Sequence, residues 1–197
     1  MKSVPRGCNP PRARLYSRQS GHETGRAVAA RLLEQFDISE DAIRRIVSEA
    51  VAGADDGELF VEHREGEALV FDNGRLKTAN FNTERGFGLR AVAGEAAGYA
   101  HSGELSEAAL RRAASAVAAV KAGHSGSFAD EPAGTNRKLY GEENPIHEPG
   151  FEAKAKLLQE IDAWLRARDP RVRKVTASLA ASWQHVEILR PDGRIAT

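Results

Sequence analysis

Across residues 59–102, apolar and polar side chains alternate with a period of two, broken only at glycine-bearing turns. That is the pattern of strands with one buried face, and it divides into a meander of four short strands. Asn73-Gly74 lies between two alternating runs and supplies the two positive φ values of a type I′ hairpin turn. A two-residue loop there predicts Asp72 opposite Arg75, Phe71 opposite Leu76 and Leu69 opposite Thr78. Gly94-Glu95 fits a type II′ turn and predicts Val92 opposite Ala97, Arg90 opposite Tyr99 and Leu89 opposite Ala100.

On either side of the meander the period lengthens to that of a helix. Ala29, Leu32, Leu33 and Phe36 mark a helix over 25–36. Ser39, followed by Glu40 and Asp41, is an N-cap with acidic residues in the first turn, and Ile43, Ile46, Val47 and Ala50 form the apolar stripe of the helix it opens. Ser106 caps a third helix, with Leu105 and Leu110 spaced as a hydrophobic staple and Leu110, Ala113, Ala114, Val117 and Val120 on one face before Gly123. Residues 123–150 are rich in glycine and proline and lose all periodicity, so they read as a linker or long surface loop. Residues 151–168 form a fourth helix, with Phe151, Leu158, Ile161 and Leu165 on one side, stopped by Asp169-Pro170. Strands over 172–182 and 183–189 follow, and Pro191-Asp192-Gly193 turns the chain toward Arg194-Ile195-Ala196-Thr197.

The fold class this order predicts is α+β: N-terminal helices, a four-stranded largely antiparallel meander, a packing helix, then the start of a second α+β domain. The divisions fall at 1–22 for a disordered basic tail, 23–122 for the first domain, 123–150 for the linker and 151–197 for a second domain that the chain leaves unfinished. The first 21 residues hold Lys2, Arg6, Arg12, Arg14 and Arg18 with no acidic residue. An arm touching nucleic acid is one reading of them and a disordered extension or upstream start the other.

Composition removes several function classes. Lys plus Arg and Asp plus Glu both number 28, so no global charge favours a nucleic acid or an anionic membrane. Cys8 is the only cysteine, which rules out an intrachain disulfide or a cysteine-based zinc site made by this chain alone and fits a reducing cytoplasm. No apolar run is long enough to span a bilayer.

Little else in the chain carries chemistry. Gly86-Phe87-Gly88-Leu89-Arg90-Ala91 matches G-x-G-x-x-A in letters, but that motif must open a helix and here lies inside a strand. Glu62, Glu65, Glu67 and Glu84 are spread over strand faces and turns, where carboxylates are usually solvated. Arg85 and Arg90 flank the glycine strand, and either guanidinium is a candidate contact for a peptide carboxylate or a partner subunit.

The run FVEHREGEALVFDNGRLKTANFNTERGFGLRAVAGEAAGYAHS resembles the N-terminal domain of the TldD/PmbA family, and the TldD-type subunit in particular. The resemblance extends from about Ala50 through Leu139-Tyr140, Asn144-Pro145, Asp169-Pro170-Arg171-Val172 and Val186-Glu187-Ile188-Leu189-Arg190 to the end of the chain. It implies a cytoplasmic zinc metalloprotease that processes unfolded or short peptides together with a PmbA/TldE-type partner. The family's zinc helix carries H-E-x-x-x-H, two histidines on one helix face with a glutamate to activate water. His22-Glu23 lacks the second histidine, and His147-Glu148 runs into Pro149-Gly150. His63, His101, His124 and His185 read as surface or half-buried hydrogen-bonding groups. The zinc ligands are therefore expected beyond Thr197, and residues 1–197 are expected to bind no zinc and to serve fold and assembly. Two alternatives stand beside this reading: a catalytically silent PmbA-like subunit, and a free-standing α+β interaction module.

Overall fold

The computed structural model describes residues 31–119, 126, 141 and 143–197. The expected N-terminal tail and residues 25–30 of the first expected helix lie outside these. What is described of that helix is a 3-10 turn, Leu32–Gln35. The helix α1 then spans Glu40–Val51, with Ser39 Oγ accepting from Ala42 N at 3.3 Å. Two strands follow, β1 Asp56–Asp72 and β2 Arg75–Ala93, then β3 Ala96–Ser102. Next come α2 Glu107–Ala118, α3 Phe151–Arg168, β4 Thr176–Leu189 and β5 Ile195–Ala196. Ser106 caps α2 as expected, accepting from Ala109 N at 3.2 Å. Val120 and Gly123 lie outside the described residues, as does most of the 123–150 segment.

The α+β class holds, with corrections inside it. The region expected to hold four short strands holds three, because residues 75–93 run as one extended strand paired to β1 throughout. Likewise 176–189 is a single strand rather than two. All five strands form one antiparallel sheet in the order β3-β2-β1-β4-β5, so β1 has β2 on one side and β4 on the other.

The second hairpin has the expected register: Val92 opposite Ala97, Arg90 opposite Tyr99, Leu89 opposite Ala100, with Gly94 at φ 59° as a type II′ turn requires. At the first, Asn73 and Gly74 have φ of 51° and 80°, Asp72 faces Arg75 and Phe71 faces Leu76. Beyond that pair the register slips. Thr78 faces Val70 and Leu69 faces Ala79, because Lys77 is extruded as a bulge.

Helices cover one face of this sheet. Every buried residue of β1, namely Gly57, Leu59, Val61, Leu69 and Phe71, is odd-numbered, and none of its even-numbered residues is buried. Strand alternation puts all five on one side. Two separate apolar clusters sit there. Ile43, Val47 and Val51 of α1 and Leu110 and Val117 of α2 pack on Leu59, Val61, Phe87 and Leu89, and Leu158 of α3 packs on Leu69 and Phe71. The buried side of α3 corrects the expected stripe: Lys154, Leu158 and Asp162 face inward, while Phe151 and Ile161 are exposed.

Candidate functional site

Between the two apolar clusters the covered face of the sheet is polar. Residues 63, 65 and 67 of β1 are odd-numbered and so share the side of Leu59, Val61 and Leu69, and the pairing of β1 with β4 sets His63 beside His185 and Glu65 beside Trp183. Glu65 is the hub of this row. One carboxylate oxygen lies 3.1 Å from His63 Nε2, and the other accepts from Asn144 Nδ2 at 2.8 Å and lies 3.0 Å from His147 Nε2. Burial acting alone would raise its pKa, but the hydrogen bonds from His63 and Asn144 and the nearby charge of His147 outweigh it, so the carboxyl sits below its ordinary value.

The row continues in both directions. Towards α3, Lys154 Nζ donates to Glu67 and to the carbonyl of Ile146. Towards α1, His185 stacks on Trp183 with ring centroids 6.1 Å apart, and its Nε2 is 3.7 Å from Glu187 and has no hydrogen-bond partner. Glu187 is buried and accepts the N–H groups of Leu32 and Leu33 at 2.9 and 3.1 Å. These are free donors at the start of the 3-10 turn, so the carboxylate acts as a cap from a distant strand.

The carboxylates of Glu65 and Glu67 are thus not the solvated groups expected of exposed strands. The parity of their positions, shared with Leu59, Val61, Leu69 and Phe71, was the signal that places them on the covered face. Chemically the row holds the Glu65 carboxyl ionised and fastens the 143–154 segment to β1. Among the described residues no three His, Cys, Asp or Glu side chains are arranged to hold a metal ion. His22 and His124 lie outside the described residues.

Arg85 and Arg90 are not brought together. They differ by an odd number along β2, so their side chains leave opposite faces. Arg90 lies on the open face, 2.5 Å from Asp56 and 3.2 Å from Glu58, and Arg190, just past the end of β4, reaches the same two carboxylates at 3.1 Å each. Arg85 is exposed and borders a shallow cleft where β3 ends, lined by Phe60, Glu62, Glu84, Tyr99 and His101. The cleft floor is Gly86 and Gly88. A Cβ on Gly86 would stand 2.7 Å from the carbonyl oxygen of Ser102, and one on Gly88 would stand 2.5 Å from the Tyr99 hydroxyl. Tyr99 lies across Gly88 and stacks on His101 at 5.7 Å.

Two family models match the chain in order: PmbA/TldA metallopeptidase domain 1 over residues 57–121, and the PmbA/TldA metallopeptidase central domain over 144–197. A metalloprotease TldD homolog of Haemophilus influenzae is 33% identical over 146 residues, covering 72% of this chain and 30% of that protein. Among solved structures, TldE from Thermococcus kodakarensis superposes with a TM-score of 0.59 at 13% identity, over 79% of this chain and 36% of that one. A Bacteroides thetaiotaomicron protein named for a proposed role as modulator of DNA gyrase gives 0.61 at 13% identity, over 81% and 38%. At such identity these two establish the fold alone. The chain spans about 30% of the length of the curated relatives it matches. With two successive domain models of one family matched in order, and a TldD homolog aligned over 72% of this chain, the chain belongs to the PmbA/TldD metallopeptidase family.

Proposed function

We propose that these 197 residues supply the N-terminal portion of a TldD-like zinc metallopeptidase that works in the cytoplasm on unfolded or short peptides, alongside a PmbA/TldE-type subunit. The role of this portion is fold and assembly. Zinc and the water-activating glutamate belong to an H-E-x-x-x-H helix expected beyond Thr197. The observation that carries this reading is the 33% identity with a TldD homolog over 146 residues, with both family models in sequence order.

The reading is tested with the purified chain, assayed for zinc by elemental analysis and for cleavage of unstructured peptides. The chain alone is expected to hold far less than one equivalent of zinc and to cleave nothing. Joined to a downstream region carrying H-E-x-x-x-H and mixed with a TldE-type subunit, it is expected to gain zinc-dependent peptidase activity. One tightly held zinc per isolated chain would overturn the placing of the metal, and a joined protein that binds zinc yet cleaves no peptide would overturn the peptidase reading.

A further inference from the structure

The strand β2 is paired to β1 along its whole length, but on its other side β3 reaches only from Phe87 to Ala93. Residues 75–85 form an open sheet edge in which every residue is exposed, and among the described residues no other strand lies along that side. Exposed edges are normally guarded by charge, proline or bulges. Here the guards stand only at the ends: Arg75 and the bulged Lys77 near the hairpin tip, Glu84 and Arg85 by the cleft. Between them Thr78-Ala79-Asn80-Phe81-Asn82-Thr83 has neither charge nor proline, and threonine and phenylalanine favour extended backbone. Phe81 is 55% exposed beside the edge.

A second copy of the same edge fits poorly. Pairing with itself would bring Arg75, Lys77 and Arg85 of one copy close along the same basic residues of the other, and like charge at close approach disfavours it. The edge carries Arg75, Lys77 and Arg85 against the single acid Glu84, so its complement is an acidic segment.

We propose that the β2 edge from Leu76 to Arg85 takes up an extended segment of another polypeptide as an added strand in line with β3, the segment having an uncharged centre and an acidic residue toward each end. Main-chain hydrogen bonds supply the attraction, and the charges at the two ends select the sequence. The surface is independent of the peptidase reading, since it uses no metal and no residue of the polar row.

The test uses the whole chain and a fluorescein-labelled ten-residue peptide of alternating threonine and valine with glutamate near each end, read by anisotropy and by amide hydrogen exchange. The acidic peptide is expected to bind, more weakly as salt rises, and to slow exchange within residues 76–85. A peptide methylated on alternate amide nitrogens, and one with lysine for glutamate, are each expected to lose about tenfold or more in affinity. The exposed double change Lys77→Glu with Arg85→Glu is expected to reverse the preference toward the lysine peptide. Absence of binding at millimolar peptide, equal binding of the methylated peptide, or protection confined to other residues would each overturn the proposal. So would slow exchange of residues 76–85 in the free chain, which would mean that another part of the chain or a second copy already occupies the edge.

Discussion

Lys154 on α3 donates to the carboxylate of Glu67 on β1, and the two side chains are only 6% and 10% exposed. The ammonium also meets the carbonyl of Ile146, so one buried cation joins a helix, a strand and the loop before the helix. Removing one partner strands the other charge, which costs about 3–5 kcal/mol for a buried pair. Lys154→Ala or Glu67→Ala should therefore lower stability by that order in urea titration. The pair of changes Lys154→Met with Glu67→Leu should recover most of the loss, since no unpaired charge remains.

Leu158 is the one buried apolar residue of α3, packed on Leu69 and Phe71. Its truncation to alanine should cost about 2–5 kcal/mol, and hydrogen exchange of α3 amides should accelerate more than that of α1. Leu110→Ala, in the larger cluster with α1, should instead loosen α1 and α2 while leaving α3 protected. Equal acceleration of all three helices in both variants would show that the two clusters unfold as one.

The carboxyl of Glu65 sits below its ordinary value of 4.5 in the folded chain. A depressed carboxyl binds its proton more readily when unfolded, so its contribution to stability is complete above that value and is lost as pH falls through the lower folded-state pKa. Stability measured between neutral pH and about pH 3 should fall more steeply in the native chain than in Glu65→Gln. The variant should be the less stable of the two at neutral pH, and curves that stay parallel would remove Glu65 from the acid response.

Gly86 and Gly88 face different obstacles. Alanine at Gly88 meets the Tyr99 ring, which is 65% exposed and can swing outward. Alanine at Gly86 meets the backbone of Ser102 and Gly103, which cannot move without lifting the end of β3. Gly86→Ala should thus destabilise by about 1–3 kcal/mol and speed exchange across β3, whereas Gly88→Ala should cost less and mainly disrupt the contact of Tyr99 with His101.

The elements written in turn and cap chemistry were legible from residues alone. Gly94-Glu95 determines the register of the second hairpin, and Ser39 and Ser106 mark the starts of α1 and α2, because each rests on a local conformational requirement. The bulge at Lys77 was not legible, since an exposed hairpin tip tolerates an extra residue without changing any hydrophobic position. The polar run around Asn80 and Asn82 stays extended because β1 supplies a backbone partner opposite each residue from Thr78 to Val92. The inward side of α3 departs from its apolar stripe because Lys154 and Asp162 are drawn in by Glu67 and by Arg166, which reaches on to Asn73 at 2.7 Å. Of the polar row, Glu65 and Glu67 could have been placed by strand parity. Asn144 and Glu187 come from distant parts of the chain, and nothing local announces them.

The strand β1 falls in the region matched by the first family model, β4 in that matched by the second, and the two are hydrogen-bonded neighbours from Leu59 to Asp72. The peptide bond that links the two regions is then dispensable in a way the shared sheet is not. A chain nicked near residue 141 should stay together and purify as a nicked complex, while either piece made alone should expose one long side of an unfinished sheet and aggregate unless the other is present at synthesis.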